Sequence, residues 1–205
     1  MTQNSSNPDL TIAPLYGLIL SGGKSSRMGT DKALINYHGK PQQELLFDLA
    51  REFCDHTFIS LREEQRDDLP EKYEVIVDQN EYRGPLNGIL SAHKTYPKAA
   101  WLVIACDLPL IDRETIQLLV NGRNPNKDAT ALATRASGLP EPLASIWEPI
   151  GLEHVKEYLI NASSSCPRKF LINTETHLIF PEKDDVLANA NSVEDYKRIK
   201  AVLNS

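Results

Sequence analysis

The chain has little that would tie it to a membrane, to nucleic acid or to an oxidising compartment. No apolar run approaches the length needed to span a bilayer. The first residues, Met1 to Pro8, are polar and rich in Ser and Asn, without the basic start and apolar stretch of a secretory signal. Residues 1–13 therefore read as a disordered lead-in to one domain over 14–205. There are three cysteines, Cys54, Cys106 and Cys166, an odd and scattered set without metal-site spacing. Reduced thiols and a cytoplasmic protein are the expectation. The five histidines are equally scattered and form no ligand-spaced set. Positive charge is in deficit: the net formal charge is -6, which argues against a general attraction to nucleic acid or anionic lipid. Any binding of phosphates must then come from a local arrangement.

What is present is an alternation of strand-like and helix-like segments. Tyr16 to Leu20, Thr57 to Ser60, Glu74 to Val77, Ala100 to Ala105, Ala129 to Thr134 and Leu143 to Trp147 read as strands. Leu45, Leu46, Leu49, Ala50 and Phe53 fall on one helical face. Leu86 to His93, Ile116 to Val120, Leu152 to Leu159 and Tyr196 to Leu203 mark further helices. Such alternation implies right-handed crossovers and a three-layer, Rossmann-like α/β fold with a mostly parallel central sheet. Ligands bind at the carboxyl ends of strands in such sheets, so the residues after Leu20, Val77 and Ala105 are the first candidates.

The first of these ends carries the strongest signal. Leu20-Ser21-Gly22-Gly23-Lys24-Ser25-Ser26-Arg27-Met28-Gly29-Thr30-Asp31-Lys32 brings glycines, hydroxyls and the cations Lys24, Arg27 and Lys32 directly after a buried strand. Glycines let backbone amides turn inward on an anion, and an arginine forks onto phosphate oxygens. A triphosphate suits this loop. It is neither a Walker A motif nor the G-x-G-x-x-G of dinucleotide binders. Asp107 follows the central strand Ala100 to Ala105, placed to ligate Mg²⁺, which takes one or two carboxylates together with phosphate oxygens and water.

The loop resembles the signature of nucleotidyltransferases that activate small phosphorylated or pterin substrates. Within that group it is most similar to the molybdenum cofactor guanylyltransferases, whose pattern is approximately L-x-G-G-x-S-x-R-M-G-x-D-K. The resemblance implies that Leu20, Ser21 and Gly22 contact the guanine and ribose, that Gly23 and Arg27 lie at the phosphates, and that Lys32 neutralises charge near the α-phosphate. It makes Asp107 the Mg²⁺ ligand and gives Asp78 a part in fixing the nucleotide. Gly84-Pro85-Leu86-Asn87-Gly88 resembles the family's G-P-L-x-G helix start. Asn189 and Asn191, read as neighbours on one strand face, match its N-x-N-[ST] stretch on the pterin side, and Ser192 is a good N-cap besides. Two positions depart from the family. Ser60 stands where members often carry an Asn that contacts the nucleotide, and Glu141 stands where His or Gln usually precedes the Pro-Leu pair.

The implied activity is GMP transfer from GTP to molybdopterin, with pyrophosphate release. The implied partners are GTP, the molybdenum cofactor, and molybdenum-insertion or recipient proteins, with no nucleic acid and no membrane. A cytidylyltransferase for the same pterin, a sugar-phosphate nucleotidylyltransferase and a non-catalytic nucleotide-binding protein remain as alternatives.

Overall fold

A computed structural model describes residues 12–21, 34–162 and 164–203. Seven strands form one sheet: β1 (Leu15–Leu20), β2 (His56–Leu61), β3 (Val75–Val77), β4 (Ala100–Ala105), β5 (Ala129–Ala133), β6 (Pro140–Trp147) and β7 (Thr176–Ile179). Their order is β3-β2-β1-β4-β6-β5-β7. The first four in that row are parallel, β6 runs antiparallel to both its neighbours, and β5 pairs parallel with β7. The sheet is thus mostly parallel, as the alternation predicts. Among the described strands and α-helices two escape sequence reading, β7 and a six-residue helix, Pro167–Ile172.

The helices are α1 (Gln42–Ala50), α2 (Pro85–Thr95), α3 (Arg113–Asn121), α4 (Pro149–Asn161), α5 (Pro167–Ile172) and α6 (Val193–Leu203). None is long and apolar enough to cross a membrane, among the described residues. Local chemistry fixes their starts. Pro85 stands at the first turn of α2 after Gly84, whose φ of +66° suits glycine. The Asp112 carboxylate accepts the Thr115 amide at 2.8 Å and caps α3. Ser192 and Asp195 cap α6 reciprocally: the Asp195 amide donates to Ser192 Oγ at 3.1 Å, and the Ser192 amide to Asp195 Oδ2 at 3.0 Å.

β4 is buried along its whole length, as its uninterrupted apolar run requires of a strand covered on both faces. One core lies between the sheet and α1 and α3, drawing on Leu46, Ile59, Leu102 and Ile116. The other lies under α2, α4 and α5, with Leu86, Val103, Val155 and Phe170. Cross-strand partners Trp101 and Trp147 are both fully buried in the second core. Burial of each contributes a few kcal/mol, of the order of 2–3.

An ion pair closes the amino end of the sheet, away from the strand ends that matter below. Arg123 donates from Nε and Nη2 to the two carboxylate oxygens of Glu148 at 2.6 and 2.8 Å, and to the Ala13 carbonyl at 2.9 Å. The Glu148 side chain is only 2% exposed. Removing one partner strands a buried charge. Arg123→Ala is therefore expected to lower unfolding free energy by about 3–5 kcal/mol in urea titration, with the specific activity of the folded fraction retained. A loss below about 1 kcal/mol would mean that the pair behaves as a surface contact.

Candidate active site

The strand order reverses at β1. From it the chain proceeds outward to β2 and β3 on one side, and β4 lies on the other, so the carboxyl ends of β1 and β4 frame a switch point. The register puts Leu20 level with Ser60 on β2 and with Ala105 on β4. Backbone bonds continue this level past the strands: the Ser21 amide donates to the Ser60 carbonyl at 2.9 Å, and the Cys106 amide to the Leu20 carbonyl at 3.3 Å. The structure therefore brings Leu20, Ser21, Ser60 and Asp107 to one edge of the sheet. Gly22, Gly23, Lys24, Arg27 and Lys32, which belong to the segment connecting this edge to α1, lie outside the described residues.

Ser21 is buried and donates from Oγ to Gln43 Oε1 at 2.7 Å, across to the first turn of α1. Gln43 was not singled out from sequence. In the sequence it is one of two consecutive glutamines, with nothing to mark it, and its burial appears only in the fold. A buried polar residue at a helix start is informative.

On the other side of β1, Ser60 Oγ donates to Asp78 Oδ1 at 2.7 Å. Burial pushes the Asp78 carboxyl up from its ordinary value, while hydrogen bonds from Ser60 and Asn87 and the charge of Arg62 pull it down. Helix α2 comes very close here. A Cβ on Gly88 would stand 2.4 Å from Ser60 Oγ, 2.9 Å from Leu20 Cδ2 and 3.3 Å from Asp78 Oδ1. Any larger residue would push the Ser60 hydroxyl and the Leu20 side chain aside, so the glycine of the helix-start motif lets α2 lie against Leu20, Ser60 and Asp78.

Asp107 sits in the turn after β4. Its carbonyl accepts the amide of Ala190 at 2.8 Å, and this one bond places both flanking asparagines, Asn189 and Asn191, beside the Asp107 turn. The strand expected for them is absent. The segment is irregular, between a 3₁₀ turn at Asp184–Leu187 and α6. It is held by the Asp107 carbonyl and by the Asn191 amide on Asp195 Oδ2 at 3.1 Å, not by a ladder.

Two residues that follow the glycine-rich segment pack on the same turn. His38 Nε2 lies 3.0 Å from the Pro109 carbonyl. Tyr37 packs against Tyr196 of α6, ring centroids 5.3 Å apart, with Ala190 and Ile199. Burial, then the acidic groups Tyr196, Asp107 and Asp195, push the Tyr37 phenol up to about 12. It stays a neutral hydroxyl through the physiological range.

Glu141 opens β6 beside Asp107. β4 and β6 pair antiparallel as far as Ile104 and Ala144, so the start of β6 lies at the end of the sheet where β4 leads into the Asp107 turn. Glu141 is buried and bound to Arg168 of α5, Nη2 to Oε2 at 2.6 Å, and its Oε1 accepts the Leu143 amide at 3.2 Å. Its carboxyl is pushed up chiefly by burial and also by the Asp107 charge, against the pull of Arg168.

Among the described residues no three His, Cys, Asp or Glu side chains gather as a metal cage. The donor set fits a metal held partly by substrate: one strand-end carboxylate, hard oxygen chemistry, and a second carboxylate nearby already neutralised by arginine. Cys54, Cys106 and Cys166 form no disulfide with one another. His93 is buried, with Nε2 2.8 Å from Glu153, and His154 Nδ1 lies 2.7 Å from Asp128; both are contacts within the framework.

A mostly parallel sheet with a switch point, a glycine-rich connection after β1 and an aspartate after β4 make an α/β protein suited to binding a nucleotide at that strand end. The chain belongs to the MobA-like NTP transferase domain family, whose family model matches residues 17–177. It is 40% identical over 192 residues to the molybdenum cofactor biosynthesis bifunctional protein of Synechocystis, covering 93% of this chain and 55% of that protein. The chain thus spans about half the length of that relative. It is 30% identical over 197 residues to the molybdenum cofactor guanylyltransferase of Pseudomonas fluorescens, covering 95% of each. The fold is like that of molybdopterin-guanine dinucleotide biosynthesis protein A from Archaeoglobus fulgidus, with a TM-score of 0.74 and 21% identity over 92% of this chain and 98% of that one.

Proposed function

We propose that the chain transfers GMP from GTP to molybdopterin in the cytoplasm, releasing pyrophosphate and forming the guanine dinucleotide cofactor that recipient proteins take up. The observation that carries this reading is the adjacency of the β1 and β4 ends, Leu20 level with Ala105, with a loop of glycines and cations connecting from the first and Asp107 following the second.

In this reading Leu20, Ser21, Gly22 and Ser60 receive the base and ribose, and Asp78 fixes the nucleoside from the α2 side. Gly23 and Arg27 hold the phosphates. Lys32 stands against the α-phosphate. Asp107 holds Mg²⁺, which when bound supplies positive charge to the triphosphate oxygens. Asn189 and Asn191, pinned beside Asp107 through Ala190, face the acceptor. A phosphate oxygen of the acceptor attacks the α-phosphorus. A new P–O bond forms, the bond to the β-phosphate bridging oxygen breaks, and the electron pair departs with pyrophosphate. The attacking phosphate is already ionised, so no general base is needed. Positioning and charge neutralisation supply the rate.

The test is pyrophosphate release from molybdopterin and Mg²⁺ with GTP, CTP, ATP or UTP offered separately. Release with GTP alone is expected. Release with CTP alone would overturn the base assignment and leave the chemistry. Silence with molybdopterin together with release on a sugar 1-phosphate would overturn the acceptor.

A further inference from the structure

Arg168 is a cation at the Asp107 end of the sheet that neither the glycine-rich loop nor the proposed nucleotide contacts account for. Its guanidinium is held on one edge. Nε donates to the Pro140 carbonyl at 3.0 Å and Nη2 to Glu141 Oε2 at 2.6 Å. Those two bonds fix the plane of the fork, because adjacent donors on a rigid group engage adjacent acceptors. The Nη1 edge has no protein partner among the described residues, and the Arg168 side chain is 44% exposed against 10% for Glu141. A buried carboxylate gripping a half-open arginine is an arrangement that orients a donor toward something else. An exposed pair whose purpose was only stability would contribute little.

Its place in the sheet says what that something is. β6 runs antiparallel beside β4 and pairs with it as far as Ile104 and Ala144, so the start of β6, with Glu141, lies at the same end of the sheet as the Asp107 turn, and the Asp107 charge raises the Glu141 carboxyl. The Glu141–Arg168 pair therefore flanks Asp107 from β6, the side opposite to β1 and the nucleotide contacts. A free guanidinium edge is a bidentate receptor for a phosphate or other oxyanion. The acceptor must bring such a group next to an already anionic triphosphate, which calls for positive charge on its own side.

We infer that Arg168, oriented by Glu141 and the Pro140 carbonyl, binds the anionic phosphate of the acceptor on the β6 side of Asp107. This rests on the transferase reading above. Glu141 is a positioning residue: it reaches no substrate and acts by holding the fork. An acid at position 141, which departs from the His or Gln of the family pattern, thereby acquires a reason.

The experiment compares wild type, R168A, R168K and E141Q in the full chain. It measures KM for molybdopterin, KM for GTP, and equilibrium binding of molybdopterin in the presence of a non-hydrolysable GTP analogue. R168A is expected to weaken molybdopterin binding by about 10- to 100-fold, the range for hydrogen bonds to a charged group, with GTP affinity within about twofold of wild type. R168K is expected to recover part of the loss, as a point charge without the fork. E141Q is expected to raise acceptor KM by about 3- to 10-fold with GTP unaffected. A merely structural pair would lower folded yield and both affinities together. Wild-type transfer with unchanged acceptor KM in R168A overturns this inference and leaves the transferase reading standing. Failure of wild type itself to transfer GMP or bind molybdopterin overturns both.

Discussion

Asp107→Asn is expected to lower the rate of GMP transfer by about 10²- to 10³-fold, with GTP affinity reduced by less than about tenfold. The substitution keeps size and shape and changes only charge and oxygen donation. The main chain at this position is anchored independently of the side chain, since the Asp107 carbonyl holds the Ala190 amide at 2.8 Å and the Cys106 amide holds the Leu20 carbonyl. The turn should therefore survive the change, and the loss should report on the carboxylate. GTP keeps its other contacts, which is why affinity falls less than turnover. Raising Mg²⁺ should recover part of the rate, because a weakened ligand set is saturable at higher metal. Steady-state kinetics across a Mg²⁺ titration checks this. Wild-type turnover in the variant at every Mg²⁺ concentration would remove Asp107 from the reaction.

Lys32→Ala should be nearly as damaging, with kcat down by about 10²-fold and KM for GTP changed much less. Two polyanions must meet in this reaction, and charge builds on the departing pyrophosphate as the α-phosphate bond breaks. A lysine at the α-phosphate meets that charge more strongly in the transition state than in the ground state, so its loss appears in kcat. Lys32→Arg should restore part of the rate by keeping the charge in altered geometry. The described chain resumes at Leu34 and is held against the Asp107 turn and α6. Tyr37 packs on Tyr196, and His38 lies 3.0 Å from the carbonyl of Pro109, two residues beyond Asp107. A KM effect with unchanged kcat would instead make Lys32 a ground-state anchor for the triphosphate.

Legibility in the sequence followed burial and locality. β1 and β4 were readable because strands covered on both faces must be continuously apolar. The α6 cap was readable because Ser192 and Asp195 are three residues apart. β7 was not, since Thr176–Ile179 is a four-residue edge strand, partly exposed, with only a three-residue apolar run, Leu178 to Phe180, to mark it. Helix α5 is short and opens on a proline, below the length at which periodicity is visible. Of the candidate residues, Leu20, Ser21, Ser60 and Asp107, picked out from strand ends and motif likeness, lie together at one edge of the sheet. Asn189 and Asn191 lie beside the Asp107 turn, not on the strand expected for them, because the Ala190 amide bonds the Asp107 carbonyl and the Asn191 amide bonds Asp195. What the sequence hides is pairing across the fold. Ser60 meets Asp78, Ser21 meets Gln43 and Glu141 meets Arg168 through separations of 18, 22 and 27 residues. Residue types alone do not disclose such partners.

The central claim is attack by the acceptor's phosphate on the α-phosphorus of GTP. It is tested most directly with GTP labelled at the α-phosphate, incubated with molybdopterin and Mg²⁺, and the label followed by mass spectrometry. The account predicts that the label is found in the guanine dinucleotide product, with unlabelled pyrophosphate released in equal amount. Label recovered as free GMP, or left in GDP with inorganic phosphate released, would contradict it.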